Sequence, residues 1–156
     1  MAKPDLKIHF KDVPFDFWAR DKIEYLANLG IMEGYPNGYF YPYKSVSRAE
    51  LNSILKIKAS SDAFTYEKIN RLQAVRSIVR FAKIKVPKNI PRAPYLDVPK
   101  GAIGANEIWA AKNAGILEYI PGPYFEPEKK INRAEVAELI AKTKFARGKI
   151  QDFIKN

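Results

Sequence analysis

The sequence predicts an all-α fold assembled from helix–loop–helix repeats. Three observations predict it. The chain repeats itself at a spacing of 85 positions, so that residues 10–57 and 95–142 share 16 identities over 48 ungapped positions. Apolar residues inside each copy recur at helical spacing. A helix-start pattern also occurs three times, at Ser47-Arg48-Ala49-Glu50, Asn70-Arg71-Leu72-Gln73 and Asn132-Arg133-Ala134-Glu135.

The elements follow in order. In the first copy Asp16 is a plausible N-cap, and Ala19, Ile23, Leu26 and Ala27 form one apolar stripe. Gly30 stands just past the last turn, where a positive φ stops a helix. The loop Gly34-Tyr35-Pro36-Asn37-Gly38-Tyr39-Phe40-Tyr41-Pro42 has turn chemistry at Pro36-Asn37-Gly38. A capping box at Ser47 and Glu50 then opens a second helix with Leu51, Ile54 and Leu55 on its apolar face. The third copy repeats this plan with Ile108, Ala111 and Ala114, the stop Gly115, a Pro121-Gly122-Pro123 tip, and Val136, Leu139 and Ile140. Between them a middle copy keeps only its back half, from Asn70 through Leu72, Val75, Ile78, Val79 and Ala82. Only 11 residues separate Ile57 from Ile69, too few for a front half. A tail from Phe145 to Ile154 adds a sixth helix anchored by Phe145, Ile150, Phe153 and Ile154. The predicted organisation is residues 10–57, a truncated 58–86, 95–143 and a tail 144–156, packed as one compact domain.

Composition bounds the function. The 156 residues carry 27 Lys and Arg against 17 Asp and Glu, a net charge of +10. Such a surface attracts anionic partners, namely nucleic acid, acidic glycans or anionic lipid, or it simply keeps the chain soluble. The absence of cysteine excludes a disulfide framework, thiol catalysis and a thiolate zinc site. No run reaches the roughly 20 apolar residues of a membrane span. Met1–Asp5 lacks the apolar core of a leader, so a leader is expected to be removed or trimmed, or the protein is not exported. His9 is the lone histidine, and no nucleophile–base set or phosphate-cradling glycine loop accompanies it. No cofactor is expected.

One feature goes beyond capping. The first helical residue is arginine each time, Arg48, Arg71 and Arg133, although a helix N-terminus disfavours a cation. Either each arginine pairs with a nearby carboxylate such as Asp12 or Asp97, or a guanidinium held beside free helix N–H groups makes an anion site. Residues 68–92 hold eight basic and no acidic residues, which reads as a solvated face or as a strip that follows a polyanion. The loop aromatics Tyr35 and Phe40 read as packing groups; Tyr41 and Tyr43 read as more open.

These residues resemble the units of the S-layer homology family, F-x-D-V … W-A … G-I … G-Y-P-[DN]-G-x-F-x-P … [IV]-[ST]-R-A-E. The first copy matches through Phe10, Asp12, Val13, Trp18-Ala19, Ile23, Gly30-Ile31, Gly34 to Gly38, Phe40, Pro42 and Val46 to Glu50. The third departs at Ile103, Tyr119 and Pro121 to Pro123; the middle matches only from Ile69. The resemblance implies a pseudo-threefold helical assembly with grooves between units. Those grooves would bind anionic, often pyruvylated, cell-wall polysaccharide and anchor an extracytoplasmic protein to the bacterial envelope without catalysis. Carried over by position, Arg48 would meet the ligand carboxylate, Ser47 and Gly30 would hydrogen-bond it, Asp12 would bind sugar hydroxyls or orient the arginine, and Trp18 would pack on the sugar. Asp97, Gly115, Asn132 and Arg133 hold the matching places in the third copy, and Asn70 and Arg71 in the middle one. The alternatives are a basic nucleic-acid-binding protein, or an oligomerisation module in which a second chain completes the truncated copy.

Overall fold

The computed structural model describes residues 6–58 and 63–155, so the leader reading on Met1–Asp5 lies outside the described residues. The fold is all-α. Among the described residues six α-helices are formed: α1 Arg20–Asn28, α2 Arg48–Ile54, α3 Arg71–Phe81, α4 Ala105–Asn113, α5 Arg133–Ala141 and α6 Lys144–Lys155. A 3₁₀ turn spans Ala63–Tyr66, and extended pairing among the described residues is limited to isolated bridges. No helix among the described residues is long and apolar enough to cross a membrane.

The chain forms two compact units. The first joins the residues up to Lys44 with those from Asn132 onward, so it combines the front half of the first copy with the back half of the third. Here α1 packs on α5 and α6. Its core is Ile23, Leu26, Met32, Phe40, Val136, Leu139 and Ile140, all with at most 1% of their surface exposed. The second unit runs from Ser45 to Ile131, with α3 packed on α4 and α2 on the 3₁₀ turn. Its core includes Leu51, Ile78, Ile108, Phe125 and Ile131.

The residue preceding each N-cap explains how the second unit closes. Val46, Ile69 and Ile131 occupy this place in the three copies, and all are buried. Their backbones form a ring: Val46 N–H donates to the Ile131 carbonyl, Ile131 to Ile69, and Ile69 to Val46. Three edge segments thereby satisfy one another without a sheet, which meets the demand that buried peptide groups be paired.

The helix starts follow the sequence. Ser47, Asn70 and Asn132 each accept the N–H three residues on, at 3.1, 2.8 and 2.9 Å. At Asn70 the box closes from both sides, because Gln73 Oε1 also accepts the Asn70 N–H. Gly30 and Gly115 have φ of +71° and +80°, as the stops require. Three local expectations fail. Asp16 does not cap α1: a turn at Pro14–Phe17 uses up that stretch, and the helix starts later from Ala19. Ala114 is exposed and Ala110 is buried instead, because the side of α4 that faces α3 is offset from the stripe that spacing alone suggested. Phe145 is 43% exposed, and α6 is anchored by Ala146, at 0%, where a small side chain lets the helix approach closely.

Candidate functional site

The three equivalent arginines meet three different surroundings. In the first unit Arg133 is 4% exposed, with Nε donating to the Phe40 carbonyl at 2.8 Å and Nη2 to the Glu33 carbonyl at 2.7 Å. Its guanidinium lies over the Phe40 and Tyr35 rings, at 4.4 and 5.0 Å. In the second unit Arg71 is 5% exposed, donates to the Phe125 carbonyl and lies 3.6 Å from Glu126 Oε2. Phe125 is the counterpart of Phe40, 85 residues on. The arginine of each of these copies therefore pins the loop of the next one around. A planar fork with several donors suits this, since a peptide carbonyl offers acceptors but no charge.

Arg48 has no such loop to hold, because the middle copy lacks it. Its Nη1 donates to the Ser77 hydroxyl at 2.6 Å. The side chain is half-buried beside Arg80, and both desolvation and that second guanidinium lower its pKa. Among the described residues neither Arg48 nor Arg80 makes an ion pair.

The expected nest of free helix N–H groups is not there at α3 and α5. The N–H of each first helical residue already donates to a loop carbonyl: Arg48 to Glu67, Arg71 to Lys129 and Arg133 to Lys44. The next N–H groups of Leu72 and Ala134 go to Pro127 and Pro42. The N-cap side chains of Ser47, Asn70 and Asn132 take the third. At α3 and α5 the helix start is therefore filled by the protein's own carbonyls and cap side chains.

Asp12 and Asp97 act alike in their separate units. Asp12 accepts the N–H groups of Phe40 and Tyr41, and Asp97 those of Phe125 and Glu126, all at 2.8 Å. Tyr41 and Glu126 both have φ of +57°, an uncommon conformation for non-glycine residues. Each carboxylate thus holds a left-handed corner in place, with two charge-assisted bonds. Asp12, expected on sugar hydroxyls or on an arginine, has both its oxygens on the loop backbone.

Trp18 is 47% exposed and its counterpart Ile103 is 78% exposed. Trp18 lies beside Phe17, which meets Tyr43 edge-on at 5.6 Å. Phe15, at 88% exposure, Phe17 and Trp18 border a cleft of about 480 Å³ in the first unit, which His9, Arg20 and Glu24 also line. Of the loop aromatics, Phe40 is fully buried, Tyr35 is half-buried, and Tyr41 and Tyr43 are open, as read from the sequence.

The first unit thus collects Asp12, Trp18, Gly30, Asn132 and Arg133, and the second collects Ser47, Arg48, Asn70, Arg71, Asp97 and Gly115. Ser77, which accepts from Arg48, was not foreseen from the sequence, and Arg80 entered there only as one of the eight basic residues of 68–92. The signal available was the Arg76 and Arg80 pair, four apart and so on one side of α3.

The S-layer homology domain family matches residues 9–51 and 94–137, more than half of the chain. Among curated proteins, the S-layer protein of Bacillus licheniformis is 28% identical, over 86% of this chain and 20% of that protein. The cellulosome-anchoring protein of Acetivibrio thermocellus is 27% identical, over 89% of this chain and 26% of that protein. Endo-1,4-beta-xylanase A of Thermoanaerobacterium saccharolyticum is 31% identical, over 82% of this chain and 9% of that protein. The chain spans about a fifth of the length of the S-layer relative.

Proposed function

Because the chain belongs to the S-layer homology domain family, we propose that it is a non-catalytic module that fixes its bearer to the bacterial cell envelope by binding an anionic wall polysaccharide. Relatives with names as different as an S-layer protein, a cellulosome-anchoring protein and a xylanase match this chain over only 20%, 26% and 9% of their own lengths. That supports attachment, rather than a reaction, as what the segment contributes.

One observation carries the choice of site. Arg48 is the guanidinium whose two counterparts are buried on loop carbonyls, and it holds a serine hydroxyl instead. A carboxylate, such as that of a pyruvate ketal on a sugar, would accept two parallel N–H bonds from it and neutralise the strain between Arg48 and Arg80. Arg71 and Arg133, with Asp12 and Asp97, then serve to hold the loops. The truncated middle copy is part of the same reading, since its missing loop leaves Arg48 available.

Co-sedimentation with purified wall sacculi tests this. Binding is expected with intact sacculi, and loss is expected when the secondary polymer is stripped or when Arg48→Ala is introduced. Failure of the wild-type chain to bind intact sacculi at low salt overturns the reading. A steep salt-dependent shift of duplex DNA in the same preparation would instead favour nucleic acid.

A further inference from the structure

The missing half-repeat leaves α2 without the neighbour that its two counterparts have. In the second unit α3 takes α4 alongside it, and Arg76 pairs with Glu107 of α4 at 3.2 Å. In the first unit α5 takes α1, and Glu138 faces Lys22 of α1 at 3.8 Å. Arg76 and Glu138 hold the same register position in their helices, and Lys22 and Glu107 are exact counterparts 85 residues apart. The equivalent residue of α2 is Ser53, which is exposed. Three residues on, Val79 and Ala141 are both buried, whereas α2 is followed by exposed Lys56. The side of α2 that would receive a helix is therefore polar. Such a surface suits water or a polar ligand.

Beside it the second unit carries a strip of cations on α3 and just after it. Arg48 bonds Ser77, one turn before Arg80 on α3, and Arg80 lines a cleft of about 340 Å³ with Arg76, Lys83 and Glu107 and the apolar Val79, Ile84 and Val86. Arg76 is paired with Glu107, while among the described residues Arg48, Arg80 and Lys83 make no ion pair. Val79, Ile84 and Val86 give the cleft apolar wall between them. This combination of spaced cations and apolar wall suits a charged sugar chain, whose rings have apolar C–H faces and whose carboxylates recur along its length.

We propose that this strip, opened by loss of the half-repeat, binds an acidic polysaccharide along its interior: Arg48 takes one carboxylate, and Arg80 and Lys83 take carboxylates further along the same chain. The inference rests on the wall-binding reading and deepens it, from recognition of one terminal group to recognition of several successive ones.

Calorimetry on the whole chain with oligogalacturonates of increasing length, with neutral malto-oligosaccharides as control, tests it. Affinity is expected to rise beyond the monomer. Arg80→Gln with Lys83→Gln is expected to weaken the longest oligomer by about tenfold while leaving the monomer unchanged, the scale for two exposed charges. Arg48→Gln is expected to weaken both, and Lys100→Gln, an exposed cation elsewhere in the unit, neither. Length-independent binding, or an equal loss from Lys100→Gln, overturns the proposal. So does undiminished binding by the Arg80 and Lys83 double variant. If that variant still binds sacculi while Arg48→Gln does not, the strip falls and the anchoring reading stands. If oligomers bind through Arg80 and Lys83 but sacculi do not bind, the strip stands and the anchoring reading falls.

Discussion

Replacing the equivalent arginines one at a time should separate a structural role from a binding one. Arg133→Ala removes two donors from the carbonyls of Glu33 and Phe40, and the cation from the faces of Phe40 and Tyr35. Hydrogen bonds from a charged donor contribute about 1.5–3 kcal/mol each, and relief of the arginine's own burial offsets part of that. A net loss of about 3 kcal/mol follows, a shift in Tm of roughly 6–12 °C for a domain of this size. Arg133→Lys keeps the charge but loses the fork, and should fall between. Arg48→Ala removes one bond to a half-exposed hydroxyl and also relieves repulsion from Arg80, so its cost is about 0–1 kcal/mol. Urea unfolding of the three variants reads the stabilities, and sacculus binding below the transition reads function. The expected pattern is crossed: Arg133→Ala is unstable but binds, and Arg48→Ala is stable but does not. If Arg48→Ala proves as destabilising as Arg133→Ala, the distinction between pinned and available arginines is wrong.

Two further outcomes follow from the second unit. Asp97→Asn keeps the shape of the clamp but can accept only through one oxygen, so one of the Phe125 and Glu126 N–H groups loses its partner. A loss of about 2 kcal/mol is expected in urea unfolding, with faster amide exchange at Phe125 and Glu126. The Tyr95 phenol is pushed up mainly by burial, with Asp97 adding to the rise and Arg71 opposing it. Because its folded pKa is raised, stability from this group is fully present below the ordinary phenol value of about 10 and is lost as pH climbs through the folded value. Tyr95→Phe should flatten the fall of stability with pH above that point. An unchanged alkaline limb would remove Tyr95 from the explanation.

Much of the fold was legible because its signals are local. Ser47, Asn70 and Asn132 announce helix starts through a side chain that reaches three residues ahead, and Gly30 and Gly115 announce helix ends through the conformation they alone adopt easily. The truncated middle copy needed only counting. The errors mark where local signals stop. Ala114 and Phe145 sit on plausible stripes, yet burial depends on which neighbour a helix meets, and periodicity does not name the neighbour.

By itself the sequence determined the repeat, the all-α elements and the presence of three equivalent arginines at helix starts. Only the tertiary structure decided what each arginine does. Arg71 reaches a carbonyl 54 residues away and Arg133 one 93 residues away, distances over which no pattern of nearby residues carries information. Arg48 is left with a hydroxyl on α3 because the loop that would have taken its place in the series is missing. The same side chain pins a loop or is left to a side-chain hydroxyl according to whether a backbone acceptor arrives, and that is settled by packing.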